Sequence, residues 1–208
     1  LFEALQEHLR TEGRCNGWQS WPQEFHDPTS AAVQGFCVEH LERVEFFEYV
    51  QWIATIQLDA AGRRCLESGL AVGLYEDLAV SADRGGAETW VNQRTFALTA
   101  SVGAPPDELN LRGQNWGLPP TVPARLRAAR YAPFIEALRA NMRHAGALRV
   151  GHVMAVMRLY WIPAGASGAD GIYVRYPFAD LLGLVALESR RNRCMLIGED
   201  LGTVPDEV

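Results

Sequence analysis

The chain has 208 residues, is 48% hydrophobic and carries a formal net charge of -6. That apolar content suffices for a sizeable core, and the acidic balance argues against a nucleic-acid partner. No uninterrupted apolar run approaches the roughly 18 residues of a membrane span, so no membrane partner is expected.

Every basic residue is arginine, which is explained most simply by a GC-rich coding bias. The start, Leu1-Phe2-Glu3-Ala4, lacks a methionine and has no basic region leading into an apolar one, so the chain reads as the middle of a longer protein. Cys15, Cys37, Cys65 and Cys194 are scattered, with no Cys-x-x-Cys pair. They fit neither a zinc site nor a disulfide framework, and a reducing cytoplasm is the expected location.

Helix is predicted for the first dozen residues and again from Ser30 to about Ser68. In the longer stretch Val33, Phe36, Cys37, Leu41, Val44, Phe47, Val50, Ile53, Ala54 and Leu58 recur at roughly helical spacing. Asp27-Pro28-Thr29-Ser30 supplies a start and Gly69 a stop. Trp18, Trp21 and Pro22, between the helices, suggest a packed loop. A strand is predicted over Leu70-Ala71-Val72-Gly73-Leu74-Tyr75-Glu76-Asp77, with its polar end at Asp77.

Residues 78–123 are rich in Gly, Pro and Asn and weakly periodic, yet too aromatic for disorder. They read as an ordered, substrate-facing loop excursion. Helix returns from about Ala124 to Ala145, kinked or broken at Pro133. A strand over 147–154 follows, then an irregular turn around 163–171, a helix near 178–193 and a last strand over 194–199. A further turn runs through Gly202 and Pro205. Strand, helix, strand is the parallel crossover unit, which implies a barrel or a doubly wound sheet. With no internal repeat, the chain reads as one incomplete domain.

Parallel barrels place their reacting groups at the C-terminal ends of strands, where the following loops converge. Asp77, Gly151, His152, Glu199 and Asp200 all fall at such ends. Arg149 shares a strand face with Gly151. A guanidinium buried there needs an anion, because an unpaired buried charge costs several kcal/mol. Either Asp77 or another acid neutralises it, or the pocket stays wet. His152 either binds a sugar hydroxyl or packs internally. Trp116 either offers an aromatic face to a sugar ring or pins its loop, and Gln114 and Asn115 carry amides suited to hydroxyl groups. No Gly-x-Gly-x-x-Gly, Walker-type loop, His-Glu-x-x-His or Gly-x-Ser-x-Gly occurs. No cofactor or metal is expected, and carboxylate chemistry remains.

Several segments carry a specific resemblance. They include Tyr75-Glu76-Asp77-Leu78-Ala79-Val80, Gly103-Ala104-Pro105-Pro106-Asp107, Gly113-Gln114-Asn115-Trp116-Gly117 and Asn141-Met142-Arg143-His144. Leu148 to Met154, Arg158 to Pro163, Tyr173-Val174-Arg175-Tyr176-Pro177 and Ile197-Gly198-Glu199-Asp200-Leu201-Gly202-Thr203-Val204-Pro205 continue the series. In this order they resemble the middle of the amylomaltases, the bacterial 4-α-glucanotransferase or disproportionating-enzyme family.

The resemblance implies an α/β fold, a partial (β/α)8 TIM barrel with inserted helical and loop segments. It implies transfer of α-1,4-glucan segments between maltooligosaccharides by a retaining double displacement. By motif, Glu199 resembles the acid/base, Arg149 the arginine that orients the nucleophile, and Gly151 stands where the family has the aspartate nucleophile. Asp77, Trp116, His152, Asp200, Gln114 and Asn115 match positions around donor sugar and acceptor loop. A third carboxylate and further barrel segments of the parent protein would lie outside 1–208. A chain of this composition is therefore expected to be inactive or crippled alone. The alternative is a non-catalytic glucan-binding protein.

Overall fold

A computed structural model describes residues 1–11 and 17–201; Cys15, the turn expected through Gly202 and Pro205, and Val208 lie outside the described residues. The chain divides into two compact units. One comprises Leu1–Asp59 with Ala82–Gln93, the other Ala60–Ser81 with Arg94–Val208.

The first unit is helical. It contains α1 (Phe2–Thr11), α2 (Ala31–Glu39), most of α3 (Leu41–Glu67) and α4 (Ala87–Val91). Phe2, Leu5, Leu9, Trp18, Trp21, Val33, Phe36 and Trp90 are buried and form its interior. Two of the three indoles there are tied as well as packed: Trp18 Nε1 donates to Thr89 Oγ1 at 3.2 Å, and Trp90 Nε1 to the Phe25 carbonyl at 3.0 Å. The packed loop expected around Trp18 and Trp21 is therefore present.

Ser30 caps α2 as its type predicts, its hydroxyl accepting from the Val33 N–H at 3.2 Å. Gly69 closes α3 with a φ of 84°, and the Leu70 N–H reaches back to the Cys65 carbonyl at 3.1 Å. The single helix expected between these points is two, because His40 leaves helical geometry (φ -116°, ψ 30°). Its ring lies against Phe36 and His8, at centroid distances of 4.4 and 4.8 Å. No Gly or Pro marks that break.

The second unit contains two sheets. Strands β1 (Tyr75–Leu78), β4 (Ala147–Val150) and β7 (Met195–Gly198) form a parallel sheet in the order β1-β4-β7. Strands β2 (Ala100–Ala104), β3 (Gln114–Asn115), β5 (Arg158–Pro163) and β6 (Ile172–Arg175) form an antiparallel sheet in the order β3-β2-β5-β6. Segment 78–123 is therefore less of a loop than its composition suggested. It supplies α4 to the first unit and β2 and β3 to the second sheet. Its Gly and Pro residues lie largely in the connections, not in the elements.

Helices α5 (Pro123–Ala128), α6 (Ala132–Met142) and α7 (Phe178–Asn192) complete this unit. The predicted break at Pro133 is real, but Pro133 sits in the first turn of α6, where its missing N–H costs nothing. The reversal is made by Arg130 and Tyr131, with φ of 53° and 59°. Leu138, Met142, Leu148, Leu181, Val185 and Cys194 form the core between α6, α7 and one face of the parallel sheet. Full burial of a leucine such as Leu138 or Leu148 contributes about 2 kcal/mol. The helices are joined across this layer by Glu188, which is almost completely buried. It accepts two bonds from Arg139 at 2.8 Å and one from Arg191 at 3.0 Å.

The other face of the parallel sheet is different. Successive side chains alternate, so Tyr75, Asp77, Arg149, Met195 and Ile197 share this face. Tyr75, Met195 and Ile197 are exposed, at 55%, 51% and 39%. Helices cover one side of the sheet, and among the described residues the opposite side is open.

A candidate carboxylate site at three strand ends

Register fixes the site before any side chain is considered. Asp77 on β1 lies opposite Arg149 on β4, which lies opposite Ile197 on β7. The ladder then continues past the strands. The Gly151 N–H donates to the Leu78 carbonyl at 3.1 Å, and the Glu199 N–H to the Val150 carbonyl at 3.0 Å. The Val153 N–H reaches the Glu199 carbonyl at 2.9 Å. Gly151 and Glu199 therefore stand side by side on the face that also carries Asp77 and Arg149.

The expected strand 147–154 ends at Val150 because His152 takes the left-handed conformation, φ 50° and ψ 59°. That turn aims the His152 N–H at Glu199 Oε2, 2.7 Å away. The Leu201 N–H donates to the other carboxylate oxygen, Oε1, at 3.1 Å. Two backbone donors thus fix the plane of the Glu199 carboxyl. Sequence reasoning could not have named either donor, since main-chain groups carry no residue signature.

Arg149 joins the acids. Its Nη1 donates to both oxygens of Asp77, at 2.7 and 2.6 Å, while Nη2 lies 3.4 Å from Glu199 Oε2. Of the alternatives left open for neutralising Arg149, Asp77 is the one realised, with Glu199 as a second partner. Asp77, above all, keeps the guanidinium firmly charged. One cation between two carboxylates leaves this group formally one charge negative when both acids are ionised. Burial pushes the His152 imidazole below its ordinary range, and the nearby Glu199 charge opposes that shift.

Gly151 leaves space rather than strain. A β-carbon built there would stand 3.2 Å from the Leu78 carbonyl oxygen, 3.6 Å from Arg149 Nη1 and 3.9 Å from Asp77 Oδ1. Only the first contact is tight. A side chain at 151 would be directed among the same groups that Arg149 already gathers.

Trp116 comes to this region from the other sheet. Its backbone N–H donates to the Val102 carbonyl at 2.9 Å, and its ring meets His152 edge-on at 5.2 Å. The preceding β3 lies so close to β2 that a β-carbon at Gly103 would be 1.9 Å from the Gln114 carbonyl oxygen. The neighbouring amides are used within the loop. Gln114 Oε1 accepts from Trp116 Nε1 at 3.1 Å, and Asn115 Oδ1 from the Gly117 N–H at 3.0 Å. Asp200 is exposed and does not enter the Arg149 network. Of the residues predicted for the site, Asp77, Arg149, Gly151, His152, Glu199 and Trp116 are gathered, whereas Gln114 and Asn115 support the Trp116 loop. Among the described residues no group of three His, Cys, Asp or Glu side chains is arranged to hold a metal ion. No helix there is long and apolar enough to cross a membrane.

Two carboxylates and an arginine stand at the C-terminal ends of adjacent parallel strands, the place where parallel barrels carry their reacting groups. The chain belongs to the family described as 4-alpha-glucanotransferase, whose pattern it matches over residues 1–208. A 4-alpha-glucanotransferase from Haemophilus influenzae is 47% identical over 212 residues, covering 100% of this chain and 30% of that protein. One from Mycobacterium tuberculosis is 41% identical over 187 residues, covering 90% and 26%. The chain thus spans less than a third of either relative.

Among solved structures, amylomaltase from Corynebacterium glutamicum superposes with a TM-score of 0.82 at 34% identity, over 99% of this chain and 27% of that one. Amylomaltase from Streptococcus agalactiae, in complex with acarbose, superposes with a TM-score of 0.85 at 19% identity, over 99% and 42%. The latter supports the fold alone. The expected partial α/β barrel is borne out, and the one-sided helix layer is what part of such a barrel presents.

Proposed function

We propose that the intact protein containing this chain has 4-α-glucanotransferase chemistry, moving α-1,4-glucan segments between maltooligosaccharides. In this reading Glu199 is the acid/base, protonating the departing sugar and later deprotonating the acceptor's 4-hydroxyl. Arg149 orients the nucleophile. Asp77, His152 and Trp116 meet the donor sugar and acceptor, with Gln114 and Asn115 behind Trp116 and Asp200 at the rim. Segment 78–123 contributes the substrate-facing wall. A third carboxylate and the remaining barrel segments come from outside 1–208.

The observation that carries the reading is the placement of Glu199 beside Arg149 at the ends of β7 and β4, with Gly151 at the same strand end. Gly151 offers no carboxylate, so the reading includes a crippled first step. Losing covalent catalysis merges two manageable steps into one difficult one. No cofactor is needed, and the cytoplasm, where soluble glucans are metabolised, is the proposed location.

The test is glucose release from maltotriose by the intact protein with Gly151, compared with the same protein carrying Gly151→Asp. A rise of several orders of magnitude in the aspartate form is expected. Equal, slow hydrolysis without transfer in both forms would overturn the reading.

A further inference from the structure

We infer that Asp77 is the surrogate nucleophile of the Gly151 protein. The inference rests on the glucanotransferase reading above but goes beyond it, since there Asp77 only contacts the sugar. Three observations support it.

First, Asp77 is the carboxylate that borders the empty position. Its Oδ1 stands 3.9 Å from where a β-carbon on Gly151 would be. Second, it has taken the partner that a carboxylate at 151 would use. Arg149 Nη1 is 3.6 Å from that same point, and it donates to both Asp77 oxygens at 2.7 and 2.6 Å. An aspartate at 151 would compete for this nitrogen; with glycine there, Asp77 holds it alone. Third, none of the described residues walls Asp77 off, its side chain being 61% exposed.

Glu199 lies on the other terminal nitrogen of the same guanidinium, at 3.4 Å. One guanidinium therefore holds an acid on each side. Retaining glycosyl transfer uses two carboxyl groups about 5–5.5 Å apart, and here Asp77 and Glu199 flank one guanidinium, at 2.6 and 3.4 Å from its terminal nitrogens. Backbone N–H groups of His152 and Leu201 fix Glu199, whereas Asp77 is held through the side chain of Arg149.

The step balances without a co-reactant. An Asp77 oxygen forms an ester bond to the anomeric carbon as the bond from that carbon to the glycosidic oxygen breaks. The electron pair goes to the glycosidic oxygen, which takes the proton of Glu199. The 4-hydroxyl of a second glucan then gives its proton to Glu199 and displaces Asp77, restoring both carboxyl groups and the α-configuration. Asp77 attacks from an off-register position, so the rate is far below that of the Gly151→Asp form.

The experiment is active-site trapping in the intact protein with a ring-fluorinated α-maltosyl fluoride, followed by peptide mass spectrometry. The Gly151 protein should carry the sugar on Asp77, and Asp77→Asn should remove the label and lower residual transfer at least tenfold. The Gly151→Asp protein should carry it at position 151. Label on position 151 in that form, with none on Asp77 in the Gly151 protein, overturns this inference and leaves the proposed function standing. Failure of the Gly151→Asp form to be labelled or to transfer, with folding verified, overturns both.

Discussion

Arg149 and Asp77 occupy one register step of neighbouring parallel strands, and a single guanidinium nitrogen bonds both carboxylate oxygens, at 2.7 and 2.6 Å. The same guanidinium reaches Glu199 at 3.4 Å. A lysine has no second nitrogen with which to bridge the acids. In the Gly151→Asp protein, Arg149→Lys is expected to lower kcat for maltotriose by about a hundredfold or more. Both partners are substantially exposed, so melting should move little. A large loss of stability with unchanged kcat would reassign Arg149 to a purely structural role.

Gly151 does not need to be glycine for folding. It lies outside the positive-φ residues, and its closest would-be neighbour is the Leu78 carbonyl oxygen at 3.2 Å. An alanine gains a little from a less flexible unfolded chain and loses a little to that contact. Urea denaturation of Gly151→Ala should therefore give a stability within about 1 kcal/mol of the parent.

Gly103 presents the opposite case. A β-carbon there would lie 1.9 Å from the Gln114 carbonyl oxygen and 2.6 Å from Ile162 Cδ1. Gly103→Ala must push β3 off β2, at a cost of about 3 kcal/mol or more. Trp116 follows β3 directly, so its fluorescence should lose its response to maltooligosaccharides in the intact protein. An unchanged melting curve would show that β3 is not held as described.

Glu188 links stability to acid. Bonds from Arg139, then Arg191, hold its carboxyl below the ordinary glutamate range against the opposing effect of burial. A folded pKa below the unfolded one means that the unfolded chain binds protons first as pH falls. The contribution is therefore complete above the unfolded value of about 4.5 and is lost as pH drops through the lower folded value. Glu188→Gln should cost about 2 kcal/mol at neutral pH, discounted from a fully buried pair because both arginines are half-exposed. It should also flatten the acid limb of thermal melts.

His152 titrates with the same sign for a different reason. Burial, only partly offset by Glu199, favours the neutral ring, so its pKa lies below the ordinary 6.5. Its contribution is intact above about 6.5 and declines as pH falls through the folded value, where the unfolded chain has already gained its proton. Ring-proton NMR should place this histidine below the unperturbed position. His152→Asn, which tolerates the left-handed backbone, should keep the bond to Glu199 and remove that part of the pH dependence.

The parallel strands were legible because each is a short apolar run ending in polar residues. The predicted runs at 147–154 and 194–199 contain β4 and β7, the first of them drawn too long, while the run at 70–77 overlaps β1 but starts too early and stops before Leu78. The antiparallel sheet was not legible. Arg158-Leu159-Tyr160-Trp161-Ile162-Pro163 has large apolar side chains on both faces, so alternation gave no signal. Tyr160 and Leu159 are in fact both buried. Helix 178–193 was readable from its apolar spacing, whereas the division of α2 from α3 at His40 depends on contacts with His8 and Phe36. At the site, Glu199, Arg149 and Asp77 were visible as strand-end groups. Their shared guanidinium and the backbone donors to Glu199 required register and a left-handed His152, which no residue pattern specifies.

The room around Gly151 also bears on how such a chain could arise and persist. An exchange between an acidic residue and glycine there would disturb no core packing among the described residues, where a β-carbon meets one tight contact, the Leu78 carbonyl oxygen, in an ordinary backbone conformation. Quality control that senses unfolding would not register the exchange. At Gly103 the reverse holds, and drift would be purged as misfolding long before catalysis was tested. Under the proposed function, selection for foldability and for turnover would thus act on different residues a few strands apart, with turnover alone guarding position 151.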